Sequence, residues 1–110
     1  MMQLIDTDWS ETEKKIANIA LEKAKEREIN ALIEVVRQQS SEISKLDDLW
    51  HLHDFLSARR YDIDGKYDSR NSTVIFALAG LVKEGWLHLD ELDGLDRGKI
   101  TKVSAMTRIV

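Results

Sequence analysis

Apolar positions recur at steps of three and four along most of this chain, and no proline interrupts them. That spacing lines them up along one side of an α-helix. Ser10-Glu11-Thr12-Glu13 reads as a capping box, in which the Ser10 hydroxyl caps the first turn and Glu13 reaches back. The helix it starts meets no breaker before Gln38-Gln39-Ser40-Ser41. About 30 residues at about 1.5 Å each give a rod of roughly 45 Å. A compact chain of this length has a radius of gyration of about 13 Å and is about 34 Å across. The first helix must therefore project from the body or lie along a partner.

Its side chains favour the partner. Ala17, Leu21, Ala24, Ala31 and Val35 form one apolar stripe. Ile29, Ile33 and Val36 form a second, rotated by roughly 100°, with Leu32 between the two. A helix apolar on two sides needs covering twice. The chain's own helices can supply one cover, and the same helix of a second copy, across a two-fold axis, the other. Ile29, Leu32, Ile33 and Val36 are the predicted dimer contacts. Both stripes packed inside one bundle is the alternative. The mixed charges Glu22, Lys23, Lys25, Glu26, Arg27 and Glu28 read as a solvated surface.

A second helix is predicted from Ser41 or Ser44 to about Asp62, ending near Gly65. The third starts near Ser69 to Ser72 and runs through Val74-Ile75-Phe76-Ala77-Leu78-Ala79-Gly80-Leu81-Val82 to a stop at Lys83-Glu84-Gly85. Trp86-Leu87 then packs back, and Asp90-Glu91-Leu92 forms a single turn. A last helix spans about Asp96 to Thr107, with Ile100, Val103 and Met106 inward and Lys99 and Lys102 outward. The expected architecture is one all-α domain assembled as a helical homodimer. Residues 1–9 are a flexible tail with Trp9 as an anchor, 10–64 the long dimerising helices, and 65–110 a small helical head.

Composition narrows the chemistry. The absence of cysteine removes disulfides, thiolate metal sites and thiol nucleophiles. A net charge of −4 with both signs interspersed lacks the basic stripe of a nucleic-acid binder. Arg59, Arg60 and Lys66 are flanked by Asp62, Asp64 and Asp68, which read as turn and capping residues. No apolar run approaches the roughly 20 residues that span a bilayer. Met1-Met2-Gln3-Leu4-Ile5-Asp6-Thr7-Asp8-Trp9 has no signal-peptide pattern, so a cytoplasmic place is expected.

The second helix carries the one unusual surface. Leu49, Leu52, Phe55, Leu56 and Ile63 fall on one face. Trp50, His53, Asp54, Ser57 and Tyr61 fall on the other, with Arg60 at its edge. A Trp set among His, Asp and Arg on the polar side of a helix has the composition of a protein-binding hot spot. The same pattern fits a Trp50 packed under a neighbouring helix with its charges solvated. His51 and His53 point about 200° apart on a helix and cannot share one metal ion. His53, Asp54 and Tyr61 could outline an acid–base site. They lack the pocket, the oxyanion donors and the nucleophile that catalysis requires. No metal, cofactor or catalytic residue is expected.

Asp47-Asp48-Leu49-Trp50, then Leu52-His53-Asp54-Phe55-Leu56-Ser57-Ala58, then Arg60 and Ile63-Asp64-Gly65-Lys66-Tyr67-Asp68, resemble the cyanobacterial fluorescence recovery protein family nearly residue for residue. The likeness continues through Ile75-Phe76 and Glu84-Gly85 to Glu91-Leu92 and is weakest over the first ten residues. The resemblance implies an all-helical homodimer without a cofactor. It implies binding to the light-activated orange carotenoid protein, mainly to its C-terminal domain, and a faster return to the dark orange form. That return ends quenching of the phycobilisome. Trp50, His53, Asp54 and Arg60 match the family's partner patch, Phe76 and Lys102 a second contact on the head, and Ile33 an aliphatic dimer contact. His51 and Arg59 receive no role from it. A dimeric module of the same family with another, non-photoreceptor client is the alternative.

Overall fold

The computed structural model describes residues 9–67 and 74–109. Four α-helices follow in order: α1 (Glu11–Ser41), α2 (Leu46–Lys66), α3 (Val74–Glu84) and α4 (Arg97–Met106), with a 3₁₀ turn at Leu89–Leu92 before the last. Among the described residues there is no strand, only an isolated bridge between Asp93 and Leu95. No helix is long and apolar enough to cross a membrane among those residues.

The capping box forms as the sequence predicts. Glu13 N donates to Ser10 Oγ and Ser10 N to Glu13 Oε1, each at 3.0 Å. α1 runs 31 residues, and the molecule measures 53 × 27 × 25 Å with a radius of gyration of 16.9 Å. The projecting rod is therefore real. α1 ends at Ser41, whose hydroxyl donates to Gln38 O at 2.7 Å. α2 then starts at Leu46, where Asp48 accepts from Ser44 N at 3.1 Å and sits in the first turn beside Asp47. Two carboxylates there complement the positive end of the helix dipole.

α2 continues past Asp62, through Gly65, to Lys66. An interior glycine costs about 1 kcal/mol relative to alanine. The extra turn survives because Ile63 is buried and Lys66 reaches an ion pair on α1. The predicted start of the third helix at Ser69 to Ser72 lies outside the described residues, as does Asp68. α3 ends as predicted at Gly85, which takes φ +88°. Trp86 N then bonds Leu81 O at 3.0 Å and Gly85 N bonds Val82 O at 3.1 Å, the Schellman closure. Gly94 has φ +106°, and a Cβ there would collide with the Ile16 δ-methyl, so the loop before α4 lies directly on α1.

Leu78, Leu81, Leu87, Leu92 and Val103 fill the head core and pack on Ala17, Ala20 and Ala24. Alanines let the head approach the α1 axis closely. Trp9 is buried in the same cluster, so it anchors the N-terminal end of the described chain. Only part of the first predicted stripe is covered this way. Ala31 and Val35 remain exposed because they lie beyond the reach of the head.

Three charges predicted to be solvated are engaged across the fold instead. Arg27 grips Glu91 with two bonds of 2.8 and 2.7 Å and donates to Trp86 O at 2.9 Å. Glu28 is 3% exposed. Lys99, assigned to the outer face of α4, donates to Glu13 Oε1 at 3.0 Å and lies 5.0 Å from the Trp9 ring centre. The outer side of that end of α4 meets α1, which helical spacing cannot register.

These acids make the fold sensitive to low pH. Glu13 accepts from Ser10 N, from Asp96 N at 2.7 Å and from Lys99, and those bonds lower its pKa from 4.5 to about 2. Arg27, and then the His88 N–H, likewise lower Glu91 to about 2. The contribution of a depressed acid is complete above its unfolded value and is lost as pH falls through the folded one. The thermal midpoint, followed by circular dichroism, should hold down to about pH 5 and then fall towards about pH 2. In Glu13→Gln the midpoint should start lower and fall less steeply. Equal slopes in parent and variant would remove Glu13 from the acid transition.

Candidate functional site

Trp50, His53, Asp54, Ser57, Arg60 and Tyr61 follow one another at helical spacing and share one face of α2. Trp50 to Arg60 spans about 15 Å at about 1.5 Å per residue. Trp50 is 53% exposed and Tyr61 81%. The His53, Asp54 and Arg60 side chains also face solvent. Of the two readings of Trp50, the structure of the single chain selects the open one. Among the described residues no neighbouring helix covers the indole.

The face is nevertheless ordered by its own contacts. The Trp50 and His53 rings meet edge to face, 6.2 Å between centres at 88°. His53 Nδ1 lies 3.3 Å from Asp54 Oδ1. Arg60 Nε is 3.8 Å from Asp64 Oδ2, one turn on. That pair is too long to be a strong hydrogen bond, and an exposed pair of this kind contributes little. The Arg60 guanidinium therefore keeps most of its donor fork for an incoming carbonyl or carboxylate. Leu46, 62% exposed and one turn before Trp50, extends the apolar part of the surface towards the helix start.

The opposite face of α2 is less covered than its pattern predicts. Ile63 is buried, Leu52, Phe55 and Leu56 are half-buried, and Leu49 is exposed. The facing part of α1 matches it: Ile29, Leu32 and Val36 are half-buried and Ile33 is 43% exposed. The α1–α2 hairpin thus leaves an incomplete apolar layer in one chain. Phe76, 51% exposed on α3, and Lys102, exposed on α4, belong to the head. The six predicted partner-binding residues therefore form two sets, four on α2 and two on the head.

Sequence reasoning missed the group that joins these parts. Glu28 on α1 accepts from Arg59 at 2.9 Å, from Lys66 at 3.1 and 3.0 Å, and from the Tyr67 hydroxyl at 2.8 Å. Lys66 also donates to Glu84 at 2.7 Å. Burial opposes the charge on Lys66, but the bonds to Glu84 and Glu28 outweigh it and raise its pKa above the ordinary lysine value. Burial, with the Glu28 carboxylate beside it, raises Tyr67 strongly, so the phenol stays protonated and donates. Arg59, left without a role in the sequence, is a structural partner. A faint signal existed in Lys66-Tyr67 lying inside the unusual motif, but nothing in sequence pointed to Glu28.

A family described as the photoprotection regulator fluorescence recovery protein matches residues 9–107 of this chain. The fluorescence recovery protein of Synechocystis sp. (strain ATCC 27184 / PCC 6803 / Kazusa) is 45% identical over 109 residues, 99% of this chain and 100% of that one. The solved structure of the Fremyella diplosiphon fluorescence recovery protein is 55% identical and superposes with a TM-score of 0.87, covering 91% of this chain and 98% of that one. The structure of the protein from Synechocystis sp PCC 6803 superposes with a TM-score of 0.86 at 47% identity and the same coverage.

Proposed function

The chain belongs to the fluorescence recovery protein family of photoprotection regulators, and from that premise we propose that it binds the light-activated orange carotenoid protein and accelerates its return to the dark form. The observation that carries this reading is the open Trp50–His53–Asp54–Arg60 face, ordered within α2 and left exposed by the described residues of its own chain. It has the composition of a docking surface and lacks the enclosed pocket of an enzyme.

The mechanism requires no bond chemistry in this protein. A binder speeds a conformational change when it holds the transition state more tightly than the starting state. Trp50 and Arg60 anchor the partner's C-terminal domain, with His53 and Asp54 completing the contact. Phe76 and Lys102 on the head guide its second domain. Holding both on one scaffold makes their encounter intramolecular and raises its effective concentration. Two copies of this chain, joined through Ile29, Leu32, Ile33 and Val36, form the scaffold, with residues 10–64 as its stem and residues 65–110 as its head. The protein acts in the cytoplasm on the partner at the phycobilisome.

The test is the red-to-orange return of photoactivated orange carotenoid protein in darkness, with this chain added below stoichiometric amounts. Marked acceleration that persists through several turnovers of partner per dimer is expected. A folded, dimeric protein that leaves the rate unchanged would sink the assignment and point to a different client.

A further inference from the structure

Two helices meet at the Glu28 carboxylate, and Lys66 links it to a third. α1 supplies Glu28, α2 supplies Arg59 and Lys66, Tyr67 follows α2 directly, and α3 supplies Glu84 at its last position. Arg59 also reaches Asp62 at 3.3 Å along its own helix. Glu28, 3% exposed, thus joins the stem to the head by four hydrogen bonds from three donor side chains.

The attachments around it are unequal. The head is tied to α1 by the alanine stripe, by Arg27 on Glu91 and by Glu13 on the start of α4. α2 has far less. Ile63 is its buried residue, and its other apolar side chains are half-buried or exposed in the chain. Apolar contacts tolerate sliding and rotation, whereas several donors converging on one carboxylate do not. A satisfied buried polar network specifies one geometry more than it adds stability. Arg59 and Arg60 are adjacent and leave the helix about 100° apart. Arg59 is fixed on Glu28 while Arg60 is displayed, so any rotation of α2 that frees the first re-aims the second.

We propose that Glu28 is a positioning residue that locks α2 against α1 and the head, so that the Trp50–Arg60 face is held at one angle to Phe76 and Lys102. The proposal rests on the reading of that face as the partner's docking site, and its test separates the two.

Hydrogen exchange by mass spectrometry on the dimer reads the lock without any partner. Glu28→Gln keeps the shape and an acceptor oxygen but loses the charge. Amides in residues 56–67 should exchange about tenfold faster or more, while those of 13–24 and 78–82 stay at the parent rate. Tyr67→Phe, which removes one donor and keeps the charges, should accelerate the same segment by less. An unchanged 56–67 segment, or a uniform increase over all helices, would overturn the lock. In the dark-return assay a loosened α2 lowers the fraction of protein that is competent to bind, and apparent affinity falls by that fraction. Glu28→Gln should therefore need more protein for half-maximal acceleration and still reach the parent's maximum. A lowered maximum at an unchanged half-maximal concentration would overturn the positioning role. If the parent accelerates nothing, the docking reading fails, and the exchange pattern alone decides the lock.

Discussion

Ile33→Glu should leave this protein as a folded monomer of 12.7 kDa. Ile33 is 43% exposed in the single chain, on a part of α1 that the head does not reach. Its neighbours Ile29, Leu32 and Val36 are half-buried, and Leu49 and Leu52 on α2 are also incompletely covered. Covering a side chain of this size adds about 1.5–3 kcal/mol, so a shared layer of these residues is enough to drive association. In the proposed interface a carboxylate there would find no cation among Ile29, Leu32 and Val36, and two-fold symmetry would bring in a second carboxylate. An unpaired charge in such a layer costs about 3 kcal/mol or more, and symmetry brings it in twice. About 6 kcal/mol raises the dissociation constant on the order of 10⁴-fold. The fold of each chain should survive, because Ile33 is outside the head core and solvent can reach the new carboxylate in the monomer. Light scattering at micromolar concentration distinguishes the outcomes. A variant that still has twice the chain mass would remove this stripe from the interface.

Local signals were legible where local physics decides them. The capping box at Ser10 and Glu13, the positive-φ stop at Gly85 and the two stripes of α1 depend on neighbours within a turn or two. The open Trp50 face is of the same kind, since helical spacing alone gathers its members. The family likeness came from the same segment, which is why the family was readable before the fold. What stayed hidden is long-range. Glu28 stands in a run of alternating charges, and its partners lie 31, 38 and 39 residues away. Lys99 is on the polar side of α4 by every local measure, yet Glu13 is 86 residues away in sequence and 3.0 Å away in space. Gly65 is a stop signal that lost to the ion pair beyond it. Each failure has one cause: a charge reads as solvated until the tertiary fold supplies its counter-ion.

Trp50→Ala should weaken binding to photoactivated orange carotenoid protein by about 2 kcal/mol, about 30-fold, with little change in the fold. The two effects separate because the indole is half in solvent. It contributes to no core cluster, and its ring contact is with His53 on the same helix. Removing an exposed side chain of this kind changes stability by less than about 1 kcal/mol. In a complex the same indole would be fully covered, and its loss would expose the apolar wall it fills. Arg60 then keeps its donors but loses the dry surroundings that make them strong, so the effect of the two residues should not add. Trp50→Phe should recover part of the affinity, since a smaller aromatic surface still fills the site. The thermal midpoint and the dimer mass, measured on the same sample, hold fold and assembly fixed. An alanine variant that binds and accelerates like the parent would show that the face is only a solvated helix side, and would move the anchor to Phe76 and Lys102 on the head.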